Sequence, residues 1–388
     1  MGLAVGFEYA SPNRIFFGEG MLSKAGAVSS EFGKRALIVT GSGSVPLDGL
    51  LQNLESAGIS GLVFRVESEP DVHTIYAGAE RAKSNQCEFV ISFGGGSVMD
   101  TGKAVAAMLT NPGELMDYLE VVGAGKEIAN PAAPMLALPT TAGPGTEVTR
   151  NAVILSPEHQ VKVSMRSYKM IPPVAIIDPV LTYSMPPDVT ASTGMDALTQ
   201  VIEGYVSKRA NPMTDAGCRE GIIRGARSLL RAFEKGDDVS AREDMCFASL
   251  FGGLAVANGG LGAVHGFAGP IGGMFKVPHG VICASLLPHV MKINVQASED
   301  SHEKYQLQSR YRDIAKWVTG NDQATIEDGV EWIAELANAL GIPGLETLGI
   351  GQKDFDLIIE KSKVSSSMQK NPITLNEATL RKILTEAF

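Results

Sequence analysis

The chain has 388 residues, 44% of them hydrophobic and 20% charged, enough to bury the cores of two domains and too apolar for intrinsic disorder. Lysine and arginine number 33 against 43 acidic residues, a formal charge of −10, with no basic cluster. That balance argues against a nucleic-acid or anionic-membrane surface, and no apolar stretch approaches the roughly 20 residues of a membrane helix.

The start, Met1 to Glu8, lacks the basic and apolar regions of a signal peptide, and Gly2 with Gly6 does not fit a myristoylation signal. Cys87, Cys218, Cys246 and Cys283 are scattered and form no CxxC pair, so they read as reduced thiols. A cytoplasmic location is the expectation.

Phe7-Glu8-Tyr9 and Arg14-Ile15-Phe16-Phe17 look like edge strands, and exposed edges tend to be covered. Residues 35–40 form an apolar strand ending in Gly41-Ser42-Gly43-Ser44, followed by a helix pattern with Leu47, Leu50, Leu51 and Leu54 on one face. Further strands are expected at 61–66, 87–93, 135–139 and 173–178, with a helix over 76–84. Continuous apolar strands alternating with helices predict a mostly parallel sheet covered on both faces. Near Pro186-Pro187-Asp188 the pattern turns helical, with segments at 196–206, 214–233, 242–257, 281–290, 303–318 and 326–340, and two more toward Phe388. A boundary near 187 divides an α/β domain, residues 1–187, from an all-α domain, residues 188–388.

Two loops carry phosphate-binding chemistry. Gly94-Gly95-Gly96-Ser97 follows a strand and opens a helix, so its backbone can approach a pyrophosphate and the helix amides can meet it. Asp100 and Lys103 lie on the first turns of that helix. The string is not GxGxxG. A second loop, Thr140-Thr141-Ala142-Gly143-Pro144-Gly145-Thr146-Glu147, also follows a strand; alone it reads as a capped surface turn, but two such loops on neighbouring strands favour a shared cleft.

In the second half, Asp196 and Gln200 have i,i+4 spacing, which stacks a carboxylate and an amide oxygen on one helix face. His265 and His279 sit in Gly-flanked segments, and imidazole with carboxylate suits Zn²⁺ or Fe²⁺. Taken singly, each has an ordinary reading: Asp196 as a helix cap, Gln200 as a solvated side chain, each histidine as a core residue bonded to a carbonyl.

Together these motifs resemble the iron-containing (group III) alcohol dehydrogenase family. The resemblance runs through Pro12-Asn13-Arg14-Ile15-Phe16-Phe17-Gly18-Glu19-Gly20, Gly94 to Asp100, Pro139 to Gly143, Gly194-Met195-Asp196-Ala197-Leu198-Thr199, His265 and Pro278-His279-Gly280. It implies a Rossmann-like, dehydroquinate-synthase-like nucleotide domain, a helical metal domain, an active site in the cleft between them, and a homodimer. By the same resemblance Gly95, Gly96, Ser97, Asp100, Thr140, Thr141 and Lys162 line the coenzyme site, and Asp196, Gln200, His265 and His279 occupy the metal-ligand positions.

Two departures stand out: the family commonly has histidine where this chain has Gln200, and another, tied to proton transfer, where it has Gly269. Gln200 is either a weak fourth ligand or a hydrogen-bonding neighbour. Many NAD-preferring members resemble a strand ending in Asp at residue 41; here Gly41 and Ser42 remove the repulsion of a 2′-phosphate, so NADP(H) as well as NAD(H) fits.

The implied activity is hydride transfer between a small alcohol and its aldehyde or ketone, aided by a divalent metal, Fe²⁺ or Zn²⁺, with Asp196, His265 and His279 as the catalytic set. Three rivals remain open: a metal-independent oxo-acid reductase resembling maleylacetate reductase, a dehydroquinate-synthase-like lyase, and a nucleotide-binding protein without catalysis. The lyase needs a basic cluster that the sequence lacks.

Overall fold

A computed structural model describes residues 6–43, 45–67, 69–159, 161–299 and 301–388. Residues 1–5 and Ser44, on which part of the N-terminal and turn readings rest, lie outside them. Contacts divide the chain into two compact units: residues 10–141 with 146–185, and residues 186–388 with 142–145 and the segment up to Tyr9. The break falls between Met185 and Pro186.

The first unit runs β1 (Arg14–Phe17), α1 (Ala25–Ser29), β2 (Arg35–Gly41), α2 (Asp48–Ser56), β3 (Ser60–Val66), α3 (Val72–Ser84), β4 (Phe89–Gly94), α4 (Gly96–Thr110) and α5 (Leu115–Tyr118). It continues through β5 (Met135–Pro139), β6 (Asn151–Ser156), β7 (Val161–Arg166) and β8 (Val174–Ile177). Six strands form one sheet in the order β1-β8-β5-β4-β2-β3, every pairing parallel.

The pattern of burial explains the order. Every residue of β4, β5 and β8 is buried, which suits strands covered on both faces, whereas β1 and β3 are partly exposed edges. Ile38, Ile91, Leu136 and Ile176 from four of the strands join one core cluster with Leu50 and Leu54 of α2. Helix α3 starts where the Asp71 carboxylate accepts the Thr74 amide.

One expectation fails here, and one element is additional. Phe7 to Tyr9 forms no strand, so the N-terminal edge consists of β1 alone. The antiparallel hairpin β6–β7 was not foreseen, although Val161, Val163 and Met165 alternate with polar residues as a half-buried strand does.

The second unit is helical: α6 (Pro187–Val206), α7 (Pro212–Glu234), α8 (Val239–Asn258), α9 (Ala263–Met274), α10 (His279–Ala297), α11 (Lys304–Thr319), α12 (Ile326–Ala339), α13 (Phe355–Lys363) and α14 (Glu377–Glu386). Helix α6 is central, with 16 of its 20 residues buried, and it packs on α7, α8 and α10. A helix buried on nearly all sides must satisfy its polar side chains internally. Helix α9 escaped the sequence reading because Gly266, Gly269, Gly272, Gly273 and Pro270 lower its helix propensity; tertiary packing of Val264, Phe267 and Ile271 overrides that. Among the described residues no single helix is long and apolar enough to cross a membrane.

Candidate functional site

Helix α6 presents Asp196, Gln200 and Glu203 at i, i+4 and i+7, hence on one face. All three are buried. His265 comes from the first turn of α9, His279 opens α10, and Cys283 follows one helical turn later. A Cβ added to Gly280 would lie 1.9 Å from the Ser192 carbonyl oxygen, so only glycine lets the start of α10 press against α6 and bring His279 to Asp196.

One donor atom each from Asp196, His265, His279 and Cys283 lies within 4.8 Å of the others. His265 Nε2 is 3.2 Å from Asp196 Oδ1 and 3.8 Å from Cys283 Sγ, and His279 Nε2 is 3.9 Å from the same carboxylate oxygen. Tetrahedral donors around Zn²⁺ sit about 3.3 Å apart for a nitrogen–oxygen pair and about 3.6 Å for nitrogen–sulfur, given the usual bond lengths. The donors have the types a divalent ion takes; the His265 distances come close to that spacing, and His279 lies somewhat farther out.

Glu203 supports the cluster from behind. Its carboxylate accepts from His265 Nδ1 at 2.7 Å, and from the backbone amides of Val264 at 2.7 Å and His265 at 3.3 Å. One side chain thus caps α9 and fixes the His265 tautomer, leaving Nε2 turned toward Asp196 and Cys283. Gln200 turns its amide nitrogen to Asp196 Oδ2 at 3.4 Å, while its Oε1 is buried without a hydrogen-bond partner.

The electrostatics follow from this crowding. Burial opposes charge on His265, yet the Cys283 sulfur and the hydrogen bonds to Asp196, Cys283 and Glu203 hold its pKa well above the ordinary histidine value. Burial would raise the Cys283 thiol, but His265 and His279 more than offset it and bring it down. Asp196 is lowered too: burial acts against ionisation, and the hydrogen bond from His265 with the charge of His279 overcomes it. Acidic donors gathered around imidazoles favour a cation at their centre. The His279 side chain remains 43% exposed, so the cluster has an open side.

Sequence reasoning missed Glu203 and Cys283. Both carried a signal in helical spacing, three residues after Gln200 and four after His279.

In the first unit, Gly41, Gly94 and Pro139 end β2, β4 and β5, three adjacent parallel strands, at one edge of the sheet. Gly41, Gly95, Gly96, Ser97, Thr140 and Thr141 therefore gather there, with Ser42 following Gly41. Gly95 caps α4 without a side-chain hydrogen bond, and a Cβ on it would lie 3.2 Å from Thr141. The free amides of α4 at the carboxyl ends of parallel strands form an anion-binding edge. A cleft of about 860 Å³ continues past Gly41 to Asp48, Arg65 and Arg81.

Asp100 and Lys162 are otherwise engaged. The Asp100 carboxylate lies 3.2 Å from Lys103 Nζ and accepts the Val153 amide, tying α4 to the β6–β7 hairpin. Lys162, on β7, pairs with Glu69 at 2.7 Å. Lys103 is fully buried and donates to the Thr146 and Asn151 carbonyls and to the Thr149 hydroxyl.

A parallel-sheet unit with an edge suited to an anion and a helical unit with a candidate metal cluster fit a metal-associated nicotinamide oxidoreductase. The chain belongs to the iron-containing alcohol dehydrogenase family: residues 12–179 match "Iron-containing alcohol dehydrogenase" and residues 190–388 match "Fe-containing alcohol dehydrogenase family, C-terminal". It is 36% identical to a 1,3-propanediol dehydrogenase of Citrobacter freundii over 98% of this chain and 99% of that protein. It is likewise 36% identical to alcohol dehydrogenase 4 of Saccharomyces cerevisiae (strain YJM789), over 97% of each. A crystal structure of 1,3-propanediol oxidoreductase superposes with a TM-score of 0.92 at 35% identity, covering 99% of this chain and 100% of that one. The protein is an alcohol dehydrogenase-type enzyme that uses a nicotinamide coenzyme and a divalent metal.

Proposed function

We propose that Asp196, His265 and His279 hold the divalent ion, and that the turns after β2, β4 and β5 hold the coenzyme while a small alcohol and its aldehyde interconvert. The carrying observation is the convergence of these donors within 4.8 Å although they lie up to 83 residues apart in sequence. When bound, the ion supplies Lewis acidity at the carbonyl oxygen and the coenzyme supplies or accepts hydride.

The protein's own groups act by position. Glu203 orients His265, Asp196 brings negative charge, and the exposed edge of His279 leaves room for substrate. Gly269 carries no titratable group, and a Cβ there would meet nothing within 4 Å. The alcohol proton therefore leaves through water or the coenzyme ribose.

The names of the relatives support a short alcohol or diol as substrate. Gly41 and Ser42, with Arg65 and Arg81 along the adjoining cleft, support NADP(H) over NAD(H), since guanidinium groups suit a 2′-phosphate. Gly95, Gly96, Ser97, Thr140 and Thr141 contact the pyrophosphate side of the coenzyme in this reading, and Asp100 and Lys162 serve it indirectly through the β6–β7 hairpin. Four free cysteines accord with a cytoplasmic enzyme, and the parallel edge strand β1 offers a surface for a homodimer.

Metal analysis of protein purified without added ions, combined with NADPH and NADH oxidation across short aldehydes, tests the assignment. Stoichiometric metal and chelator-sensitive turnover support it. Full turnover of metal-free protein moves the function to a metal-independent oxo-acid reductase, and coenzyme binding without any turnover moves it to a non-catalytic binder.

A further inference from the structure

We propose that Cys283 coordinates the metal as a thiolate, replacing the donor absent at Gln200, and so turns the centre into an Asp-His-His-Cys set that prefers Zn²⁺ to Fe²⁺. This rests on the metal reading above.

Three observations carry it. Cys283 Sγ is in the same 4.8 Å cluster as the other donors and lies 3.8 Å from His265 Nε2, close to the nitrogen–sulfur edge of a tetrahedral site. It projects from α10 one helical turn after His279, on the same face, so the i,i+4 spacing that makes paired ligands on a helix is present between them. Gln200, meanwhile, gives its amide nitrogen to Asp196 Oδ2, the bond of a residue that steadies a ligand.

A neutral amide oxygen is a poor donor to a transition ion, and a thiolate is a strong, soft one that suits Zn²⁺. Coordination takes the thiol proton to solvent and leaves sulfur oxidation state unchanged. The exposed side of His279 then leaves room for a substrate oxygen to approach as a fifth donor, which a closed four-ligand structural site does not offer.

Cobalt reports the sulfur directly. Loading the metal-free full-length protein with Co²⁺ should give one bound ion and a sulfur-to-cobalt charge-transfer band in the near ultraviolet. Cys283→Ala should bind Co²⁺ at least about tenfold more weakly and lose the band. Cys283→Ser keeps the size and polarity of the side chain, so it guards against loss of folding and should also lack the band. Cys246→Ser, outside the cluster, should keep it. In competition, the preference for Zn²⁺ over Fe²⁺ should fall about tenfold in Cys283→Ser. One bound cobalt without the band in the unmutated protein overturns the thiolate while the metal reading stands. No bound cobalt at all overturns both.

Discussion

The two functional regions are built from different materials. At the sheet edge the proposed coenzyme site is made of backbone: the open amides of α4, with Gly95 and Gly41 removing side chains from the approach. In the helical unit the proposed metal site is made of side chains: Asp196, His265, His279 and Cys283, each held by a partner or by helix packing. Backbone sites distribute binding over many equivalent donors, so single substitutions remove little. Side-chain sites concentrate it, and each donor is indispensable or nearly so.

The largest expected effect tests that asymmetry. Asp196→Ala removes the one anionic oxygen to which both His265 and His279 approach, and should lower kcat/KM by at least about a thousandfold with loss of bound metal. Ser97→Ala at the sheet edge should change it less than about tenfold, because the amides remain. Equal losses from the two variants, read in parallel kinetics and metal analysis, would erase the distinction.

Next comes the supporting carboxylate. Glu203→Gln preserves shape but weakens the bond to His265 Nδ1 and the cap on α9. Metal affinity should fall about 10–100-fold, as outer partners of metal-binding histidines typically show. Calorimetric titration of the metal-free variant measures this. Unchanged affinity would mean that α9 alone orients the imidazole.

The same contrast explains what was legible beforehand. A strand, a glycine turn and a helix lie consecutively in sequence, so the Gly94 to Ser97 turn and the parallel sheet could be read from local pattern. Asp196 and the two histidines stood out as residue types, but their assembly as ligands came from the family resemblance. Cys283 was hidden because it looks like an ordinary core thiol until α10 is packed on α6, and Glu203 because its partner lies 62 residues away. Helix α9 was hidden by its own glycines and proline. The β6–β7 hairpin is short, and its fixing contacts, from Asp100 and Lys103 on α4, are distant in sequence.

Coenzyme choice offers a smaller but sharper measurement. Arg65 lies in the cleft beside Gly41, its guanidinium 3.4 Å from the Gly41 carbonyl. Arg65→Ala should reduce the NADPH-over-NADH preference about tenfold while leaving KM for the alcohol unaltered, since one exposed charge-assisted contact is worth about 1.5 kcal/mol. A uniform loss with both coenzymes would assign Arg65 to structure instead.

The smallest effect lies where the hairpin meets α4. Glu147 is buried, and desolvation raises its carboxyl to about 7 even though a backbone hydrogen bond and the charge of Lys103 pull it down. The folded state therefore holds the Glu147 proton more tightly than the unfolded chain, whose value is 4.5. Its contribution to stability is full below the unfolded pKa and is lost as pH rises through the folded one. Between pH 6 and 7.5 the loss amounts to about 1 kcal/mol. Glu147→Gln, neutral throughout, should lack this part of the slope and gain on the unmutated protein over the same interval. Denaturant titrations at the two pH values give the comparison, and parallel behaviour of the two proteins would mean that Glu147 ionises in the fold at no cost.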